Sequence, residues 1–594
     1  MRRAGLWAVV VLAAAASTLA FRARVINGGT PPWDSASHGL QGYAVAQDVA
    51  HFDLPNFAAD VFGHRYRYAP GHPILLAAAY LAFGPSWWTA IAVSTLLFAA
   101  LAILLYATAE SKASGWISAL LALTCPGLLA LSGEIMLEIP AAILAVLTLR
   151  LYARSLEDDR AVRPLGWTLT IFMLTAAQYA VCWILILAAF EAWRMREYLR
   201  GPLVCFARSR ALYHPVHILI AMCVLVAIAV RVSGGWSIPL GSRTLSMTRA
   251  GGALIAAAWL AGARVGWLVW KHRAAIRETV PWRFRAIFMT AVVPIYVWIF
   301  VIYPPRFQQY VEWFVRPPSD QPRTDPSHWA YYPEYFFTGG HAVWMIGAAV
   351  VLLAAASFFR RGATERDRFL RWAVIAGTAL VLAHPTRQTR FLVPFLPAWW
   401  ILATDTLAQF LPARRSRLIA ATIATAAILP AAWILYAVEL GPTIGPPPVH
   451  REYEDALHWT IRRIESAPSV RIVGGFEGLS RHLFEWELRK RADIRTRRLG
   501  FNLDLPPSWD RDPEGPQKVF DLWMAGDPEE MVVALEPASL RSRGVRGVGS
   551  IRKADNDWPQ FTMRFLGGEP RYEVAYERLF DAAAVRVRIY RRKS

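Results

Sequence analysis

Apolar runs long enough to cross a bilayer recur from residue 5 to about residue 438, separated by short loops rich in Arg. Hydrocarbon offers the backbone no hydrogen-bonding partner, so such runs fold as helices that satisfy their own amide groups. After about residue 440 the runs stop and charges of both signs mix, as on a water-exposed surface. The sequence therefore divides into a transmembrane region over 1–440, a Pro/Gly-rich linker over 441–450 and a soluble domain over 451–594. Most of the net charge of +20 belongs to the first region. Arg beside apolar spans marks loops held in the cytoplasm, so the charge speaks for a bilayer partner and not for nucleic acid. Cys125, Cys182, Cys205 and Cys223 lie in or beside apolar segments without metal-ligand spacing and read as small core residues.

Charge bias also orders the spans. "MRRAGLWAVVVLAAAASTLAF" reads either as a signal peptide or as a retained first helix with Met1–Arg3 inside; in both cases residue 22 onward is outside. The runs 87–109, 115–132 and 138–153 then lead in, out and back. Counted backwards from the C-terminus, "RMREYLRGPLVCFARSR", "KHRAAIRETVPWRFR", "RRGATERDRFLR" and "PARRSR" fall in the cytoplasm. They bracket spans near 212–230, 248–270, 284–303, 341–358, 371–384, 391–409 and 417–438. The two counts agree only if 166–192 starts and ends on the cytoplasmic side, which predicts two short helices meeting near Gln178–Tyr179. The expectation is a multi-pass protein of the plasma (inner) membrane with about thirteen transmembrane helices. Its N-terminus lies in the cytoplasm and its soluble domain outside.

The first outer loop, 22–86, is too long and too patterned for a connector. It holds Asp34, His38, Asp48, Asp53 and Asp60, then "GHRYRYAPGHPILLAAAYLAFG" with Arg65, Arg67 and Tyr68. The end of that stretch is an apolar helix too short to span, expected along the interface. Three more features face the same side. "LSGEIMLEIPAA" puts Glu134 and Glu138 one helical turn apart at the outer end of a span, where Glu138 also suits the positive end of the helix. "AHPTRQTRFLVPFLP" puts Arg387 and Arg390 in a very short outer turn, against the usual bias, which points to anion binding. The outer loop 303–340, dense in Tyr, Trp, Phe and Pro, fits an interface belt and a substrate lining equally well.

Outside the cytoplasm no nucleotide sugar is supplied, so a sugar transferred there must arrive on a lipid carrier. Such chemistry needs a base for the acceptor hydroxyl, cations for the departing phosphate and an apolar groove for the tail. The outer acids, arginines and aromatics offer all three.

The order of these features resembles membrane glycosyltransferases of the C-type fold, on the branch of protein O-mannosyltransferases and the lipid A aminoarabinose transferase. In "WDSASHGLQGYAVAQD" Asp34 matches the family's acid in the first outer loop, while Ser35 replaces the usual second acid. "YAPGHPILLAAAYLAFG" matches its Y-x-P-x-x-P and F-G pattern, and "MLEIPAA" places Glu138 as the second acid two residues before Pro. "TAAQYAV" has Gln178 where the family has Lys, and "RFLVPFLPAWWILA" is similar to its R-Y-x-x-P-x-x-P signature. The resemblance covers residues 1 to about 440 and implies a C-type glycosyltransferase fold. It implies that Asp34 is the catalytic base and Glu138 the second acid; Glu134, at the same span end, is a further catalytic candidate. His38 would orient Asp34 or touch the donor phosphate; Arg65, Arg67, Tyr68, Gln178, Tyr179, Arg387 and Arg390 are the remaining substrate-binding candidates. The donor would be a polyprenyl-phosphate sugar, the acceptor an extracytoplasmic lipid, glycan or protein, and transfer would invert the sugar. No metal ligands are assigned, and a divalent ion is left open. A transporter, or an inactive relative acting in binding or assembly, is the alternative.

In the soluble domain "REYEDALHWTIRRIESA" and "EGLSRHLFEWELRKRA" read as helices and "SVRIVGGF", "MVVALE", "YEVAYERLF" and "AAAVRVRIYRR" as strands, the last two paired in a hairpin. The expectation is a small α/β domain, with the glycines of "RIVGGFEG" forming a tight strand-to-helix turn.

Overall fold

The computed structural model describes residues 2–27, 30–31, 33–62, 68–196, 214–233, 236–240, 243–247, 250–302, 326–360, 362–384, 388–410, 414–438, 448–473, 479–491, 498–501, 520–521, 523–525, 528–537, 566–581 and 585–593. Arg65, Arg67, Arg387 and the "GG" turn after "RIV" lie outside these residues.

The chain begins with α1 (Arg2–Asn27), α2 (Trp33–Ala50), α3 (Leu54–Phe62), α4 (Gly71–Phe83) and α5 (Trp87–Thr108). There follow α6 (Lys112–Leu123), α7 (Pro126–Ser132), α8 (Glu138–Ser155) and α9 (Val162–Arg194). Boundaries follow local chemistry. Ser86 caps α5 by accepting from the Thr89 amide, and Ser111 caps α6 by accepting from Ser114. Pro126 opens α7 where its missing N–H costs nothing, and the chain bends there by 61°. Among the described residues seven helices are long and apolar enough to cross a membrane, counting the broken Asp159–Arg194 as one, and eight if α6 and α7 count as one bent span. The protein is therefore a multi-pass membrane protein. Segment 22–86 is more helical than its sequence announces: α2 and α3 precede the predicted short helix, which appears as α4.

The predicted helix pair appears as α9, whose backbone leaves the helical region at Ala176 (φ −145°, ψ 67°), two residues before the expected break. Its contacts show that the two halves run in opposite senses. Near the break, Tyr179 donates to Glu138 at the start of α8. Near its end, Glu191 accepts from Tyr152, close to the other end of α8. Arg283 ties the same end together by donating to both Ser155 and Glu191. At ~1.5 Å per residue the first half, before Ala176, is too short to span alone, and the break is tolerated because Ala176 is buried in protein.

The C-terminal region forms a five-stranded sheet of β3 (Ser469–Val473), β4 (Arg498–Phe501), β5 (Met531–Pro537), β6 (Tyr572–Phe580) and β7 (Val585–Arg592), in the order β4-β3-β5-β7-β6. A hairpin of β1 (Trp236–Leu240) and β2 (Arg243–Met247) stands apart from it. β3 pairs parallel with β4 and β5, and β7 pairs antiparallel with β5 and β6, so the predicted last hairpin forms. Strand alternation decides the two faces of β5. Met531, Val533 and Leu535 join the core shared with the helices Pro448–Ile464 and Arg481–Arg491, while Val532 and Ala534 pack with Trp523 and Tyr572 on the other side. On that side Arg471 holds the buried Glu529 at 2.7 Å. Burial alone would raise the Glu529 carboxyl; the Arg471 hydrogen bonds and charge outweigh it and hold it below its ordinary value.

The first core also takes in residues of α2, α4 and α5. Trp486 is fully buried, with edge-to-face contacts to Tyr80 and Trp87, each at 6.0 Å between ring centroids. Its ring lies on α2 at Gly39, where an added Cβ would stand 2.1 Å from Trp486 Cζ3. Gly39 is what lets the C-terminal helix Arg481–Arg491 seat on α2. Gly39→Ala should therefore cost about 1–3 kcal/mol, the usual penalty for overpacking. Thermal unfolding in detergent checks this, and most of the cost should vanish in a Trp486→Ala background. Equal costs in both backgrounds would mean that Gly39 is not kept small by Trp486.

Candidate active site

Asp34, Glu138 and Arg390 come from three distant parts of the chain and meet at one end of the helix bundle. Asp34 sits in the first turn of α2, where unpaired amides and the helix dipole favour a negative charge. Glu138 opens α8 in the same manner and is 2 % exposed. Arg390 lies in the 3₁₀ turn Thr389–Phe395 that leads into the helix Leu396–Phe410. Pro394 and Pro397 withhold amide donors there, which favours the tighter turn before regular helix resumes.

Arg390 Nη2 donates to Asp34 Oδ2 at 2.6 Å, and its Nε lies 3.6 Å from Glu138 Oε1. One guanidinium thus bridges two carboxylates. The Gln388 side-chain oxygen accepts from Arg390 Nε at 2.7 Å and fixes the plane of the group. Tyr179 donates to Glu138 Oε1 at 2.8 Å, while Glu138 Oε2 is buried with no hydrogen-bond partner among the described residues. Asp34 keeps 35 % of its side chain exposed, against 24 % for Arg390, so it is the carboxylate open to an incoming group. Tyr68 donates to its other oxygen at 3.1 Å. Burial pushes the Asp34 carboxyl up, but the charge and hydrogen bond of Arg390, with help from His38 and Tyr68, bring it below the ordinary carboxylate value. Asp34 is ionised at neutral pH.

His38 is 2 % exposed and packs against Tyr68 with the rings tilted at 40° and their centroids 3.9 Å apart, so it supports Asp34 through that ring. Burial, then the neighbouring His72, holds its imidazole well below the ordinary value. Gln178 is half-buried on the turn beside Tyr179. Glu134 does not join this group. The expected helical turn between Glu134 and Glu138 is replaced by a non-helical link between α7 and α8, and Glu134 instead faces Arg24 of α1. Arg24 donates to the Gly133 carbonyl and belongs to the rim of the site, although nothing in its local sequence marks it. Gln388 and His72 were also not legible as site residues; only a polar residue two before Arg390 and the His of "PGHP" hinted at them. Ser35 accepts from the Ile135 amide at 3.2 Å and so ties α2 to the link before α8.

No group of three or more His, Cys, Asp or Glu side chains that could hold a metal forms among the described residues. The space between Asp34 and Glu138 is taken by the Arg390 guanidinium.

The sequence matches no family model and no curated protein. The structure is similar to that of ArnT from Cupriavidus metallidurans bound to undecaprenyl phosphate, with a TM-score of 0.52, 14 % identity and coverage of 98 % of this chain and 97 % of that one. The apo state of the same protein gives a TM-score of 0.49 at 13 % identity over the same shares. Similarity over nearly the full length of both chains, spans and terminal domain together, shows that this protein has the C-type fold of membrane glycosyltransferases.

Proposed function

We propose that the protein transfers a sugar from a polyprenyl-phosphate donor to an acceptor on the extracytoplasmic side of the plasma membrane, with inversion. The observation that supports this reading is the partly exposed Asp34, clamped by Arg390 and Tyr68 at one end of the helix bundle beside the buried Glu138. The similarity to a structure holding undecaprenyl phosphate supports the donor class. In the proposed reaction an acceptor hydroxyl or amine approaches Asp34, which takes its proton as the nucleophile attacks the anomeric carbon. The bond from that carbon to the phosphate oxygen breaks on the opposite face, and the lipid phosphate departs with the bonding electrons. A single displacement of this kind inverts the centre. Arg390 and Tyr68 each hold one Asp34 oxygen in place, and Arg65, Arg67 and Arg387 are proposed to meet the phosphate. Glu138, held by Tyr179, fixes Arg390 from the far side.

The test is direct. Purified protein given a panel of radiolabelled polyprenyl-phosphate sugars with a membrane extract as acceptor source should release polyprenyl phosphate and label an acceptor with inverted configuration. Label retained on the lipid across the panel, with protein of intact fold, would sink the proposal. Orientation is checked separately: a periplasm-only reporter fused after residue 445 should be active, and one fused at Arg273 silent.

A further inference from the structure

At the end of the bundle away from Asp34, a cavity of about 230 Å³ is lined by the ends of α5 and α8, the start of the helix Glu365–Ala383, and Ile401. Arg150 and Arg154 of α8 both line it, roughly 18 Å and more along that helix from Glu138 at ~1.5 Å per residue. Arg366 lines the third wall, with Phe369 and Ile401 as apolar floor.

Three features mark this as more than Arg snorkelling to the surface. Arg150 and Arg154 stand one helical turn apart, and like charges so placed repel unless an anion lies between them. Neither makes an ion pair with a carboxylate among the described residues, although Glu157 also lines the cavity. Arg366 is held in place from behind: its Nη2 donates to the buried Asp405 at 2.6 Å. Its Nη1 has Glu110 at 3.7 Å but is buried with no hydrogen-bond partner. A guanidinium fixed by one carboxylate, with free donor capacity beside two unpaired guanidiniums, is the arrangement that receives phosphate oxygens.

We infer that this cavity binds a phosphate group, either the headgroup of an anionic phospholipid in the facing leaflet or free inorganic phosphate. Its walls include α8 and the span Thr389–Phe410, the two helices that present Glu138 and Arg390 at the other end. The inference does not depend on the glycosyltransferase reading.

Native mass spectrometry of the full chain in neutral detergent tests it, with phosphatidylglycerol, diacylglycerol and inorganic phosphate as separate probes. Wild type should retain phosphatidylglycerol at least about tenfold more than Arg150→Gln/Arg154→Gln, since two charge-assisted hydrogen bonds are lost, and should not retain diacylglycerol. Displacement of that lipid by millimolar phosphate places both sources in one cavity. If phosphate alone raises the wild-type Tm and the variant's less, the occupant is free phosphate and the site stands. Arg154→Gln alone, at an exposed position, should give an intermediate loss and guards against misfolding of the double variant. Equal lipid retention and equal phosphate response in wild type and both variants would overturn the inference.

Discussion

Asp34→Asn is expected to lower sugar transfer by about 10³-fold while donor retention stays near wild type. The substitution keeps the size of the side chain and its contact with Tyr68 but removes the charge that accepts a proton. Because Arg390 holds the Asp34 carboxyl below its ordinary value, the base stays ionised through the neutral range, and transfer should fall only as acid reaches that lowered value. The stability linkage has the same sign: the Asp34–Arg390 contribution is full above the unfolded carboxylate value and is lost as pH falls through the folded one. Initial rates and donor binding, measured separately across pH, check both statements. Near-native transfer by the Asn variant would remove Asp34 from the role and make Glu138 the next acid to test.

Arg390→Ala should have the largest effect on the folded state. It leaves Glu138, 2 % exposed, without its cation and facing Asp34 across the vacated volume. Breaking a buried pair by removing one partner costs about 3–5 kcal/mol, much of it the penalty of stranding the other charge. Transfer should fall as well, since Asp34 loses the group that positions it. Glu138→Gln added to Arg390→Ala should recover much of the stability but not the activity, because Asp34 remains unclamped. Chemical unfolding of the four proteins in one detergent completes the cycle. A wild-type-like Arg390→Ala would show that the bridge contributes little.

The site draws on parts of the chain that sequence reading can place on one side of a membrane but cannot join. Apolar length and Arg bias sufficed to put Asp34, Glu138 and Arg390 at the same end of the bundle. Their hydrogen-bonded grouping was not legible, because Asp34 and Arg390 are 356 residues apart. The same limit explains Glu134: the spacing of two acids before Ile-Pro reads as one helical turn, but α8 starts only at Glu138, and the link from Gly133 onward turns Glu134 toward Arg24.

Sequence by itself determined the apolar spans, the hairpin of the last strands and the reversal within 166–192. Each of these follows from a local quantity: apolar length against bilayer thickness, charge beside a span, or period-two alternation along a strand. Tertiary structure alone decided that one guanidinium serves two carboxylates, that His38 reaches Asp34 through the ring of Tyr68, and that Trp486 seats the helix Arg481–Arg491 on Gly39. These depend on which surfaces meet across hundreds of residues. Close packing selects that meeting through the shape of every side chain at once, so no window of sequence contains it.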